Sequence, residues 1–179
     1  MERILAKALI DAPTLNKRVQ QMARQISEDY AGREILAVGV LKGAVMFYSD
    51  LVRLLQVPVV LDFIQAKSYS GRTSSGEVRL LSEPDYLDRL EGRHVLIVED
   101  IVDSGATIQY LRKRLLDKNP ASVATCTLLD KPDARRIKVP VDYVGFTIPD
   151  VFVVGYGMDH SEHYRNLPYI AALDADEGE

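Results

Sequence analysis

His94 to Thr107 reads HVLIVEDIVDSGAT, and its order of residue types fixes the class of fold. Val95 to Val98 is a short, unbroken apolar run rich in β-branched residues, the pattern of a strand covered on both faces in a parallel sheet. Glu99 and Asp100 stand where that strand should run out. Asp103, Ser104 and Gly105 follow, and Ala106 to Leu116 then takes helical spacing. Strand, short loop and helix make a βα turn, and open α/β sheets bind ligands at the carboxyl ends of their strands.

The turn carries the parts of a phosphate site: hydroxyls and backbone N–H groups from Ser104, Gly105, Ala106 and Thr107 at a helix start. The lysine-bearing G-x-x-x-x-G-K-[ST] loop of a polyphosphate site is absent from the chain. Three acids stand in its place, which repel a polyphosphate but suit a vicinal diol or a hydrated cation. A sugar monophosphate matches both halves. The plainer reading, that Asp103 or Ser104 only caps the next helix, leaves the Glu99–Asp100 pair unexplained.

These residues resemble the phosphoribosyl-pyrophosphate (PRPP) motif of the type I phosphoribosyltransferases, in the variant of the hypoxanthine–guanine phosphoribosyltransferases. The likeness extends from about Ile35 to Leu167. It implies an α/β fold, a mostly parallel sheet flanked by helices, with a small hood built from the chain's two ends. Glu99, Asp100, Asp103, Ser104, Gly105, Ala106 and Thr107 would hold the ribose and its 5-phosphate. Asp103 would be the catalytic acid/base.

Composition bounds the rest. A length of 179 residues, 47% hydrophobic and 27% charged, fits one domain, residues 1–179. A net charge of −4 leaves no footprint for nucleic acid. The single cysteine, Cys126, sits in an apolar run and fits a reducing cytoplasm. No apolar run is long enough to span a membrane, and the start of the chain lacks a signal-peptide pattern. Residues 174–179 are an acidic tail.

Along the chain, Thr14 is the expected N-cap of an amphipathic helix with Leu15, Val19, Met22 and Ile26 on one face, ending near Gly32. Ile35 to Val40 reads as a buried strand, with a helix from about Ala44 to Leu55 after it. Lys42 and Gly43 lie between the two and read on spacing alone as a surface lysine and a turn. The resemblance makes them the pyrophosphate loop, with Arg165 as a further pyrophosphate contact. Val57 to Ala66 is the next strand. The Ser/Gly/Thr-dense loop 67–77 follows, with Ser68 and Tyr69 matching the family's lid, and Val78 to Leu81 returns as a strand.

Ala121 to Leu129 is another apolar strand, ended by Asp130-Lys131-Pro132. Three strands thus end in charge, and in a parallel sheet such ends share one rim. By the resemblance, Lys131 donates to a purine 6-oxo group, Phe152 covers the purine ring, Val153 offers backbone groups to the base edge, and Asp159 faces the base and the metal side. Val151 departs from the family, where many members carry lysine. The resemblance also implies Mg²⁺, near Glu99, Asp100 and Asp159, directly or through water. His160 and His163 lack cysteine partners and any zinc motif, and read as solvated or structural.

The implied reaction moves 5-phosphoribosyl from PRPP to N9 of hypoxanthine or guanine. Family members form dimers or tetramers. A regulatory nucleotide binder on the same fold needs an added DNA-binding segment or a basic face, and neither is present. A sugar-phosphate binder without catalysis leaves Lys131 and Phe152 unexplained.

Overall fold

The computed structural model describes residues 8–68, 78–80 and 89–173; for 67, 68 and 78–80 only the backbone is described. Tyr69, most of the expected lid and the acidic tail lie outside these residues, and Ser68 is the last residue of its strand.

In chain order the elements are β1 (Ala8–Ile10), α1 (Ala12–Asp29), β2 (Ile35–Leu41), α2 (Val45–Val52), β3 (Val59–Ser68), β4 (Val78–Leu80), β5 (His94–Val102), α3 (Ala106–Leu116), β6 (Ser122–Asp130), β7 (Tyr143–Thr147), β8 (Val153–Val154) and β9 (Ile170–Ala172). The main sheet runs β4-β3-β2-β5-β6-β7. Its five inner-to-edge strands β3, β2, β5, β6 and β7 are parallel, and only β4 is antiparallel, returning from β3 as a hairpin.

The apolar run of β5 is continuous because both faces of that strand are covered. Side chains alternate along a strand. Leu96 and Val98 therefore join the core under α1 and α2, with Leu15, Met22, Ile26, Phe47 and Leu51. Val95 and Ile97 point the other way, into the core under α3 with Ile108, Leu111 and Leu115. A second sheet, β1-β9-β8, ties the two ends of the chain together as the expected hood.

Three details differ from the sequence reading. The N-cap of α1 is Asp11, whose Oδ1 accepts from the Thr14 N–H at 2.9 Å, so the helix begins before Pro13 rather than at Thr14. Proline at a helix start loses no intrahelical bond. The same helix stops at Asp29, short of Gly32. The strand β5 does not end at Val98 but keeps pairing with β6 as far as Val102. The carboxylates of Glu99 and Asp100 are thus mounted on strand backbone rather than on a loop. At the start of α3 the N-cap is Gly105 at φ 86°, and the Ser104 Oγ accepts from the Ala106 N–H.

Leu96 is fully buried at the centre of the sheet. Leu96→Ala should destabilise the protein by about 2–5 kcal/mol through lost burial and the cavity left behind, read as a lowered denaturant midpoint at unchanged slope.

Candidate active site

The chain leaves β2 through α2 to β3 on one side, then places β5 on the other side of β2. That reversal opens a crevice beyond the carboxyl ends of β2 and β5, the place where open α/β sheets bind ligands. Lys42 and Gly43 stand at one lip and Asp100 to Thr107 at the other. The Leu41–Lys42 peptide bond is cis. A Cβ on Gly43 would collide with the Asp100 carboxylate, so only glycine lets the two strand ends close to this distance.

Glu99 is buried, 6% exposed. Burial, and next the Asp100 charge beside it, push its carboxyl well above the usual carboxylate range. Asp100 is raised by burial too, while a hydrogen bond from Glu99 draws it back. Its Oδ1 accepts from the Ile101 N–H at 2.9 Å. Among the described residues Glu99 Oε2 has no hydrogen-bond partner. A buried polar atom left without a partner costs about 1–3 kcal/mol.

Across the turn, the Asp103 carboxylate accepts from the Ser104 N–H, and the residue is exposed. Ser104 Oγ reaches the Ala106 N–H at 3.4 Å. Gly105 is buried, and a Cβ there would strike the Ile137 carbonyl. Arg135, absent from the sequence reading, lies under this turn. Its Nε donates to the Asp103 carbonyl at 2.9 Å and its Nη2 to the Val102 carbonyl at 3.2 Å, and it pairs with the Asp130 carboxylate. In the sequence Arg135-Arg136 reads as an ordinary solvated pair, and no local signal separates the two.

At the end of β6, Lys131 is 9% exposed, and its backbone N–H donates to the Val102 carbonyl at 3.0 Å. Its Nζ reaches Asp150 at 3.5 Å. Lys131 is thus a largely buried lysine and not a solvated one. Phe152 is 53% exposed, with the edge-to-face partner His160 at 5.6 Å between ring centroids. Val153 is buried and pairs with β9 through the hood.

Between β8 and β9 the chain folds back on itself. Tyr156 Oη donates to Asp50 on α2 at 2.6 Å, and burial followed by that bond pushes the hydroxyl pKa up. Arg165 donates to the Gly157 carbonyl at 2.7 Å and pairs with Asp159 at 2.7 Å and with Glu162 at 3.5 Å. Glu162 also pairs with Lys42 at 3.1 Å. Asp159 is thus committed to Arg165 and to the Glu162 N–H rather than gathered with Glu99 and Asp100. Among the described residues no cluster of three or more His, Cys, Asp and Glu side chains could hold a metal, His160 and His163 included. Two adjacent carboxylates with an unpartnered oxygen nevertheless suit Mg²⁺, which takes one or two carboxylates and completes its shell from water and substrate oxygens.

The phosphoribosyl transferase domain family matches residues 6–161. The chain belongs to the phosphoribosyltransferases. It is 46% identical over 170 residues to the hypoxanthine phosphoribosyltransferase of Salmonella typhimurium, covering 93% of this chain and 94% of that protein. It is 44% identical over 174 residues to the bifunctional protein TilS/HprT of Listeria monocytogenes, covering 97% of this chain but only 26% of that longer protein. The crystal structure of a Bacillus anthracis hypoxanthine-guanine phosphoribosyltransferase superposes with a TM-score of 0.88 at 43% identity, over 94% of this chain and 98% of the other. Within the family, the chain stands with the hypoxanthine–guanine phosphoribosyltransferases. Among the described residues no helix is long and apolar enough to cross a membrane.

Gly157, at φ 105°, has no room for a side chain, because a Cβ would strike the Gly43 carbonyl. Gly157→Ala should therefore cost about 1–3 kcal/mol of stability and speed amide exchange at Gly157 and Arg165, measured by hydrogen exchange.

Proposed function

We propose that the chain, as one domain over residues 1–179, transfers 5-phosphoribosyl from PRPP to N9 of hypoxanthine or guanine in the cytoplasm, releasing pyrophosphate. The observation that carries this reading is the buried Lys131 at the end of β6, beside the helix-start turn at the end of β5. One strand end offers a sugar-phosphate site and its neighbour a single aimed donor for a base.

The 5-phosphate is taken by the amides and hydroxyls of Ser104 to Thr107 at the start of α3, where the helix dipole favours an anion. Glu99 and Asp100 face the ribose hydroxyls, and the orphaned Glu99 Oε2 is the acceptor that a hydroxyl or a hydrated cation would satisfy. Mg²⁺, when bound, would be held by Glu99 and Asp100 and would neutralise charge on the leaving pyrophosphate. Lys42, the Gly43 amide and Arg165 receive the pyrophosphate. Phe152 lies over the base, the Val153 backbone meets the base edge, and Asp159 approaches the base from the hood. Ser68 and Tyr69, as a cover, remain a proposal from the resemblance.

In the chemical step the C1′–oxygen bond to pyrophosphate breaks and its electron pair leaves with pyrophosphate, while N9 bonds to C1′. Charge develops on the ribose as in an oxocarbenium ion, and the carboxylates around it are electrostatically useful. The purine must lose one proton, and Asp103 receives it at N7. A homodimer or homotetramer is proposed from the family pattern.

Purified protein with PRPP, Mg²⁺ and each purine should form IMP or GMP. Adenine should be poorer than hypoxanthine in kcat/KM by about a thousandfold or more, because Lys131 would face an amino donor instead of a carbonyl acceptor. Comparable rates for the two bases would sink the assignment of Lys131.

Asp103→Asn keeps the size and hydrogen bonding of the turn and removes the proton acceptor. It should lower kcat by at least about a hundredfold with little change in PRPP KM or in thermal midpoint. A fully active variant would leave Asp103 a structural residue.

A further inference from the structure

One arginine side chain touches both halves of the site. The turn that carries Asp103, Ser104 and Gly105 belongs to β5, and Lys131 belongs to β6. Beyond the last ladder pair, Val102 with Asp130, one backbone bond remains, from the Lys131 N–H to the Val102 carbonyl at 3.0 Å, and the β5 turn then leaves the sheet. The segment after β6 then folds back under the β5 turn. The Arg136 and Ile137 N–H groups both donate to the Ser104 carbonyl, at 3.1 and 2.9 Å.

Arg135 fills the space enclosed by this fold-back. Its guanidinium, 17% exposed, lies against three acceptors at once: the carbonyls of Val102 and Asp103 and the carboxylate of Asp130, itself 18% exposed. Its Cδ lies close enough to Gly105 that a Cβ there would come within 3.1 Å. A planar fork with several fixed donors can meet acceptors on two strands together, which an ammonium cannot. The Asp103 carbonyl it holds is on the residue whose side chain is placed at the reacting base. The Asp130 it holds immediately precedes Lys131.

We propose that Arg135 is a positioning residue that sets the distance between the phosphoribosyl half of the site and the purine half, by clamping the Val102–Asp103 backbone to Asp130. It touches neither substrate. This rests on the proposed transferase reading, because the clamp has a purpose only if both halves are occupied together. Misplacing reacting groups by about 1 Å costs up to about a hundredfold in rate, so the clamp is read in kinetics before it is read in stability.

The test compares Arg135→Gln, Arg135→Lys and Asp130→Asn with the unaltered protein, using PRPP, Mg²⁺ and hypoxanthine. Arg135→Gln should lower kcat/KM for PRPP by about tenfold to a hundredfold while hypoxanthine KM stays within about threefold of the unaltered value. Arg135→Lys should fall between the two, and Asp130→Asn, which leaves both carbonyl bonds in place, should lose less than Arg135→Gln. Hydrogen exchange at Ser104 and Gly105 should quicken in the same order.

Unchanged PRPP kinetics in folded Arg135→Gln would overturn the clamp. So would a uniform fall of kcat, both KM-derived efficiencies and thermal midpoint, the mark of a merely structural residue. If Arg135→Gln does not fold, Arg135→Lys decides: unchanged PRPP kinetics overturn the proposal, and a loss of about threefold or more, with quicker hydrogen exchange at Ser104 and Gly105 and unchanged exchange elsewhere, supports it. Unaltered protein that forms no IMP would remove the transferase reading itself, a result separate from any difference among the variants.

Discussion

A glycine facing a carboxylate holds this site together. Gly43 at the end of β2 lies against the Asp100 carboxylate at the end of β5 with no space for a methyl group, and Gly157 of the hood lies against the Gly43 carbonyl in the same way. Three segments far apart in the chain thus stack through positions that lack a side chain. The parallel sheet sets the direction of β2 and β5, but pairing alone does not close their ends. Close approach of backbone to a side chain does, and it brings acids from one strand beside the N–H groups of another.

That arrangement carries a cost that the fold alone does not explain. A parallel sheet stabilises itself by burying apolar strands, and β5 does so from Val95 to Val98. The next residue is a buried glutamate with one oxygen unpartnered, its carboxyl shifted strongly toward the protonated form by loss of water and by its acidic neighbour. Replacing it by an apolar residue would be the stabilising choice. Local rules fail in this way at functional sites, where the protein gives up stability for a group that a ligand completes.

The sheet was legible in the sequence because its signal is local: apolar runs of strand length ended by charge, two of them, β2 and β5, followed by helical spacing. The three charged strand ends, at Lys42, Glu99–Asp100 and Lys131, do share one rim, and α3 spans the residues its periodicity indicated. The endpoints were less legible. Asp11 outranks Thr14 as a cap because Pro13 can enter the first turn, and β5 outlasts its apolar run because backbone pairing with β6 is indifferent to side-chain polarity. Long-range polar partners left no trace at all. Arg135 beside Arg136 has the same composition and neighbours, yet one guanidinium is enclosed and the other residue is exposed.

The ion pairs of this rim divide by the exposure of their carboxylates. Arg135 and Asp130 are both largely enclosed, so removing either partner would strand a desolvated charge, and such a pair stays made. Lys42 and Arg165 instead share Glu162, whose side chain is 67% exposed. Exposed ion pairs contribute only about 0–1 kcal/mol, so on the proposed reading an incoming polyanion would displace that carboxylate at little cost. The enclosed pair would then fix the frame, and the exposed pairs would leave the proposed pyrophosphate side open to its ligand.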